Sequence, residues 1–375
     1  MRVLVAGGGI GGLAAAIAIG RAGHEVEVLE RAPVPAEVGA GLAIWPNGHR
    51  ALAAVGIGGT QGAPVRGLAI RTWRDRLLME TPVGEFRGRY GHDLTVVHRA
   101  ELHSNLLAAL ESGRVRPSAE LATFEQNGST VTVTLASGGR SEADLLIGAD
   151  GLRSAVRRAL LGDGEPRYSG ATCWRGVARL DVGDSAVNWL GIAAEFGIFP
   201  LSDGRAYWFG VRNRPEREAD GPDGRKADVL RAFASWPQAV GDVIEATADA
   251  DVLRNDLYDR APVKSWARGV VTLLGDAAHP MLPNAAQGAC QTLEDAAELG
   301  RALERLPAEP ALRAYQVARL ERANALVRQS RLTARVAQSN NPVLPAIRNF
   351  AMGHVPRSLL LGQLDNLMSS ARRGT

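Results

Sequence analysis

The sequence predicts an α/β fold in which a β-α-β part is interleaved with a second, sheet-based part and followed by a helical tail. Three observations predict it. Residues 2–6 form a short apolar strand that leads through a glycine-rich turn into an Ala-rich helical stretch at 13–21 and a second strand at 25–29. From about residue 168 to 259 the pattern changes to longer strands that alternate apolar and polar residues, the period of a half-buried sheet. A buried apolar strand then returns at 270–274, and the chain after it carries helical spacing at 291–306 and 310–337.

The opening unit has the order strand, turn, helix, strand, acid. In its turn, Gly7-Gly8-Gly9-Ile10-Gly11-Gly12, each glycine has a physical role. Gly7 permits the tight turn, Gly9 lets the backbone approach a pyrophosphate, and Gly12 lets helix and strand pack closely, with the phosphates resting on the helix N-terminus. Glu30 closes the second strand, where a carboxylate accepts hydrogen bonds from an unphosphorylated ribose. A dinucleotide is therefore expected here.

Residues 38–52, with Gly39, Gly41 and Pro46-Asn47-Gly48, read as a loop leading into a helix that faces that cofactor. Residues 65–80 read as strands, 99–112 as a helix and 131–135 as a strand, and the apolar run 145–147 leads into Asp150. Within the sheet part, 191–201 and 205–211 are strands joined by a hairpin turn at Ser202-Asp203-Gly204. Residues 344–368 read as a helical tail packed on the sheet part.

Composition narrows the function. The 375 residues are 46% hydrophobic and 22% charged, enough for two domains with a sizeable core. The formal net charge is +3, Lys226 and Lys264 are the only lysines, and the arginines are dispersed without aromatic interleaving, so no nucleic-acid partner is expected. Glycines break the apolar run of residues 1–20, which is not read as a secretory signal, and no stretch reaches the ~18 apolar residues of a membrane span. Cys173 and Cys290 have neither a metal-ligand nor a disulfide-framework spacing, which points to a reducing cytoplasm.

Two further segments join the glycine turn: Gly148-Ala149-Asp150-Gly151 and Gly275-Asp276-Ala277-Ala278-His279-Pro280. In this order the three resemble the single-component FAD-dependent aromatic hydroxylases, a family of flavoprotein monooxygenases. Asp150-Gly151 continues through Ser154 to Arg157, similar to that family's Asp-Gly-x-x-Ser-x-x-Arg pattern, and the third segment is followed by Pro283, Gln287-Gly288 and Glu294-Asp295. Ile44-Trp45-Pro46-Asn47-Gly48 resembles the branch with urate and salicylate hydroxylases and zeaxanthin epoxidases. Ala286 departs from the pattern, standing where the family commonly has Gly.

The resemblance covers residues 1 to about 335. It implies an aromatic hydroxylase-like fold, with a Rossmann-like FAD-binding domain (1–70, 94–167, 268–335) interleaved with a β-sheet substrate domain (71–93, 168–267) and a C-terminal helical tail (336–375). It implies that Gly11, Glu30, Arg31, Arg99 and Leu121 line the adenosine and pyrophosphate, that Ala43 lies near the flavin, and that Asp150 serves FAD and the pyridine nucleotide with Arg157 in support. Asp276, ending a buried strand, is placed to accept hydrogen bonds from the ribityl chain. Pro283, Ala286, Gln287, Gly288 and Ala289 precede a helix starting near Cys290, whose positive end suits the N1 and O2 edge of the flavin.

The chemistry implied is largely the flavin's: NADPH or NADH, binding transiently, reduces FAD, dioxygen adds at C4a, and the hydroperoxide hydroxylates or epoxidises an electron-rich aromatic or polycyclic molecule. The partners implied are that substrate and O2, with the chain a monomer or homodimer. Trp174, Tyr207 and Trp208 are pocket candidates, and Tyr207 and Glu195 are candidates for catalysis. Tyr207 either orients or deprotonates a phenol or is a satisfied core tyrosine. Glu195 is expected to point to solvent, Arg175 to form a surface ion pair in preference to binding a substrate carboxylate, and His279 to pack beside its loop. Two alternatives share the fold: a flavin-dependent halogenase, whose Trp-x-Trp-x-Ile-Pro signature is not found, and a non-catalytic flavoprotein.

Overall fold

The computed structural model describes residues 1–34, 40–59 and 61–369. Val38 and Gly39, at the start of the loop expected at 38–52, lie outside the described residues.

Five strands of the first sheet run parallel in the order Val271–Leu273, Leu145–Gly148, Arg2–Ala6, Glu25–Leu29, Val115–Arg116, with a short antiparallel edge strand at Ala267–Arg268 beside the first. All three motif segments thus leave the same end of neighbouring strands, the end where open α/β sheets bind their ligands. The helices Ile10–Arg21 and Gly288–Arg305 pack side by side against this sheet. Small residues allow it: a Cβ on Gly300 would lie 2.7 Å from the Ala18 Cβ, and one on Gly12 would fall 1.8 Å from the Gly7 carbonyl oxygen. That is the close helix-strand packing expected of Gly12.

The second sheet has seven strands in the order Leu253–Asp259, Arg167–Ala178, Arg205–Asn213, Ala194–Leu201, Ser185–Leu190, Gly67–Thr72, Leu77–Thr81. The hairpin at Ser202-Asp203-Gly204 is present, with Asp203 and Gly204 both left-handed at φ 62° and 65°. The strand expected from 191 begins instead at Ala194, because Ala193 takes a left-handed φ of 48° in the turn from Ser185–Leu190. Two helices unforeseen in the sequence, Gly224–Ala232 and Gln238–Glu245, cover one face of this sheet over Trp174, Phe196 and Trp208. The opposite face looks toward the first sheet.

The tail forms the helices Val343–Met352 and Arg357–Met368. Leu364 and Met368 are buried beside Trp45, Phe86 and Val96, and Asp365 pairs with Arg89 at 2.5 Å and accepts from the Tyr90 hydroxyl at 2.8 Å. The second tail helix therefore packs on residues 45–96, at the junction of the two sheets.

Candidate functional site

A single cavity of about 1240 Å³ runs from the glycine turn of the first sheet to the open face of the second. The three motif segments build its rim by contacts with one another. Gly7, at φ 102°, sits where a Cβ would come 2.5 Å from the Ala149 carbonyl oxygen, so the first segment rests on the second. The second reaches the third through Arg157, which is 1% exposed and donates to the carbonyls of Ala277 at 2.9 Å and Ala278 at 2.7 Å while pairing with Asp163 at 2.5 Å. The third meets the first at Thr292, against which a Cβ on Gly11 or Gly275 would lie 2.6 or 2.9 Å away.

The spacing of the second segment has a local explanation. Gly151 turns the chain at φ 76°, Ser154 caps the helix Ala155–Leu161 by accepting from the Arg157 amide at 2.8 Å, and Asp150 accepts from the Ala155 amide at 2.7 Å and the Ser154 hydroxyl at 2.5 Å. Burial pushes the Asp150 carboxyl upward against these hydrogen bonds. Glu294 and Asp295 anchor the third segment. Asp295 accepts from the Gly275 amide at 3.0 Å, from Arg319 at 2.8 Å and from His279 at 2.5 Å, and Glu294 accepts from Asn47 at 2.6 Å. Burial raises the Asp295 carboxyl, but the charges and hydrogen bonds of His279 and Arg319 outweigh it and hold it at about 2. His279 is buried beside the Trp266 ring, packed against its loop.

Of the expected cofactor residues, Gly7, Gly9, Gly11, Glu30, Arg31, Ala43, Arg99, Leu121, Asp150, Asp276, Pro283, Ala286, Gly288 and Ala289 line the cavity. Gly12, Arg157, Gln287 and Cys290 do not. Gln287 is the residue before the helix Gly288–Arg305 and is 1% exposed, hydrogen-bonded to Asn47 at 3.0 Å; Cys290 is buried beneath Trp45, whose amide points to its sulfur at 3.4 Å. The helix starts two residues earlier than expected, which turns Cys290 inward. Glu30 has its carboxylate on the turn itself, accepting from the amides of Gly8 at 2.6 Å and Ala32 at 2.7 Å.

These residues suit an FAD. Two helices of 12 and 18 residues, Ile10–Arg21 and Gly288–Arg305, aim their N-termini into one cavity, and neither carries a side-chain cap or an acid in its first turn. Their free amides and dipoles match a pyrophosphate at one end and an electron-rich ring edge at the other. Asp276 lines the cavity between them with its carboxyl exposed to it and within reach of the charges of His279 and Arg99. Ala286, the departure from the pattern, adopts the left-handed φ of 47° that suits glycine.

The substrate candidates divide by strand alternation. On Arg205–Asn213, Tyr207, Phe209 and Val211 face the cavity, whereas Trp208 faces the covering helices, stacked on Phe196 and donating to Thr247 at 2.8 Å. On Arg167–Ala178, Cys173 and Arg175 face the cavity and Trp174 faces away, edge-on to Phe233. Trp174 and Trp208 are therefore core residues: neighbours in a strand point to opposite faces, and Tyr207 and Trp208 never share one. Glu195, expected in solvent, instead lines the cavity, and burial raises its carboxyl against the 2.8 Å hydrogen bond from Asn188 and the charge of Arg348. Arg175, expected in a surface ion pair, also lines it and donates to Asn255 at 2.5 Å. Burial pushes the Tyr207 phenol well above its ordinary value, which favours the protonated hydroxyl. The sequence reading missed Asn188, Phe199, Phe209, Asn255 and the tail residues Gln363 and Leu367, all on the cavity wall.

A family model described as FAD binding domain matches residues 1–330. The chain belongs to this family. It is 38% identical over 350 residues to the aurachin C monooxygenase/isomerase of Stigmatella aurantiaca, covering 91% of each chain, and 38% identical to 3-amino-4-hydroxybenzoate 2-monooxygenase PtmB3 of Streptomyces platensis, covering 88% of this chain and 87% of that one. The fold superposes on Klebsiella pneumoniae HpxO complexed with FAD and uric acid with a TM-score of 0.93 at 30% identity, covering 100% of this chain and 98% of that one. The chain is thus an FAD-dependent monooxygenase. Among the described residues, no helix of this monooxygenase is long and apolar enough to cross a membrane.

Proposed function

We propose that this monooxygenase transfers one oxygen atom of O2 to an electron-rich ring held on the cavity face of the seven-stranded sheet, with FAD laid between the two helix N-termini. One observation carries the reading: the motif segments and the open sheet face line the same cavity. FAD, when bound, supplies electron transfer from NADPH or NADH and the activation of dioxygen.

The protein's own residues position the reactants and keep them dry. The amides of Gly9 and Gly11 would hold the pyrophosphate, Glu30 and Asp276 the two sugar chains, and Gly288 and Ala289 the flavin edge. Asp150 fixes the helix whose Arg157 braces the Asp276 loop. Phe199, Tyr207 and Phe209 give a flat apolar wall to an aromatic substrate, and Tyr207 has no hydrogen-bond partner for its hydroxyl among the described residues, so it can donate to a ligand oxygen. The pyridine nucleotide visits transiently, because the sequence holds no second dinucleotide fingerprint. Two buried, unpaired cysteines support a cytoplasmic protein, acting as a monomer or homodimer.

The test is NAD(P)H oxidation by the FAD-loaded protein across a panel of phenols and fused aromatics under ¹⁸O-labelled dioxygen. The reading expects a stimulated rate and a product carrying one labelled atom. Hydrogen peroxide alone with every member, or a halide-dependent product, would overturn it.

A further inference from the structure

The cavity face of the seven-stranded sheet is not uniform, and its gradient carries information about the substrate. Cross-strand pairing sets the residues in rows. Nearest the Gly41–Ile44 strand is the pair Phe199 and Tyr207, with the Tyr207 ring packed so closely on Gly41 that a Cβ there would lie 2.1 Å from its Cγ. Two residues further along the strands come Phe209 and its partner Arg175, and two further come Glu195, Val211 and Cys173 in one register row. Successive same-face residues advance about 7 Å per step, so Arg175 lies one step and Glu195 two steps from the aromatic row that adjoins the flavin end of the cavity.

Each of the two charged groups is held by an amide. Asn188 donates to Glu195 at 2.8 Å, and Arg175 donates to Asn255 at 2.5 Å. Among the described residues no opposite charge lies within ion-pair distance of either. Arg348 of the tail, whose charge acts on Glu195, is engaged by the Gly191 carbonyl at 3.2 Å and by the Asn349 side chain at 3.0 Å. Two polar atoms of the same groups, Arg175 Nε and Asn188 Oδ1, are buried without a hydrogen-bond partner. A half-buried carboxylate and a half-buried guanidinium that line the cavity, each braced by an amide and neither ion-paired, with the two unbonded polar atoms beside them, suit a ligand that pairs with them. Their strands are two spacings apart and their rows one step apart, about 12 Å in all, with Val211, Phe209 and Cys173 between, a distance both side chains can span toward one ligand.

We infer that the substrate carries, at the end remote from the ring that is oxidised, an N–H donor that Glu195 accepts and a carboxylate or carbonyl oxygen that Arg175 binds. This rests on the substrate site described above and adds the class of molecule it takes: a fused or extended N-heteroaromatic bearing an acidic or carbonyl group. Asn188 and Asn255 are positioning residues that aim the two charged groups.

The probe is 5-hydroxyindole-2-carboxylate, which carries a phenol ring, a ring N–H and a carboxylate on one fused frame, with its N-methyl derivative and its methyl ester. Binding to the FAD-loaded protein is read from perturbation of the flavin absorption spectrum. The acid is expected to bind at least about tenfold more tightly than either derivative, one charge-assisted hydrogen bond being lost in each. Arg175→Gln should erase the preference for acid over ester while keeping that for N–H over N-methyl, and Glu195→Leu should do the reverse. A purely structural role would move all three affinities together. Equal affinities, a common shift in both variants, or no binding of the acid at millimolar concentration would overturn the inference. If other aromatics still stimulate NAD(P)H oxidation in that case, the monooxygenase reading stands and only the polarity assignment falls.

Discussion

Arg157 joins the second motif segment to the third, and its removal tests whether that joint holds the cofactor loop. The guanidinium is 1% exposed and makes two hydrogen bonds to the carbonyls of Ala277 and Ala278, at 2.9 and 2.7 Å, and a 2.5 Å ion pair with Asp163. Replacing it with Met fills most of the volume but leaves two buried carbonyls unpaired and Asp163 with Arg260 as its remaining partner. Each hydrogen bond from a charged donor is worth about 1.5–3 kcal/mol, and breaking a buried pair costs about 3–5 kcal/mol. Asp163 is partly exposed and recovers some of its loss in water, as well as keeping Arg260 at 3.3 Å, so the lower end, about 3 kcal/mol, is expected. Arg157→Lys keeps the charge on a single point, which can serve one carbonyl at a time, and should cost about 1–2 kcal/mol. Unfolding of the apo-protein in urea, followed by tryptophan fluorescence, measures the first effect. FAD titration measures the second: because Arg157 braces the Gly275–Ala277 turn that carries Asp276, affinity should fall by at least about tenfold, with Met worse than Lys. Unchanged FAD affinity in a destabilised Arg157→Met protein would refute the bracing role.

Three further outcomes are expected. Ala286→Gly should raise stability by up to about 1 kcal/mol, since a left-handed residue costs about 1–2 kcal/mol and the freer unfolded chain returns part of the gain; a lower melting temperature would show that the turn holds no strain at this position. Gly41→Ala should cost about 1–3 kcal/mol by pressing a methyl onto Tyr207, and most of that loss should vanish in the Gly41→Ala/Tyr207→Ala double variant, strict additivity in urea melts being the contrary result. Asp295, held at about 2 against an ordinary 3.8, contributes about 2 kcal/mol that is fully present above pH 4 and lost between pH 4 and 2. Asp150 and Glu195, raised by desolvation, act with the opposite sign, each favouring the fold when protonated. Stability measured against pH should drop in the lower window, and Asp295→Asn should remove that drop.

What the sequence disclosed follows from how local each signal is. The glycine turn, the Asp-Gly-x-x-Ser-x-x-Arg run and the Gly-Asp loop are short stretches whose residues act on their own backbone: Gly7 by its φ, Ser154 by its cap, Gly12 by contact with Gly7. Their placement was legible for that reason. The substrate wall depends on which face of a strand turns inward, and that is set by what covers the other face. The covering helices Gly224–Ala232 and Gln238–Glu245 are short and were hidden among the strand signals, so Trp174 and Trp208, large and aromatic, looked like pocket residues when they are the core beneath those helices. Alternation alone would have rejected the pair Tyr207 and Trp208. Glu195 was assigned to water because lone carboxylates usually lie there, and only the cavity, unseen in the sequence, gives it a place inside. Gln363 and Leu367 reach the site from a tail helix more than 150 residues away from the strands it meets, a contact no local pattern encodes.

The most direct test of the account is the flavin content of the purified protein after reconstitution, read from its visible absorption beside that of Asp276→Ala. One tightly held FAD per wild-type chain and a largely colourless Asp276→Ala protein that is still folded are expected. A wild-type protein that stays colourless in excess FAD, or an Asp276→Ala protein that retains the full complement, would contradict it.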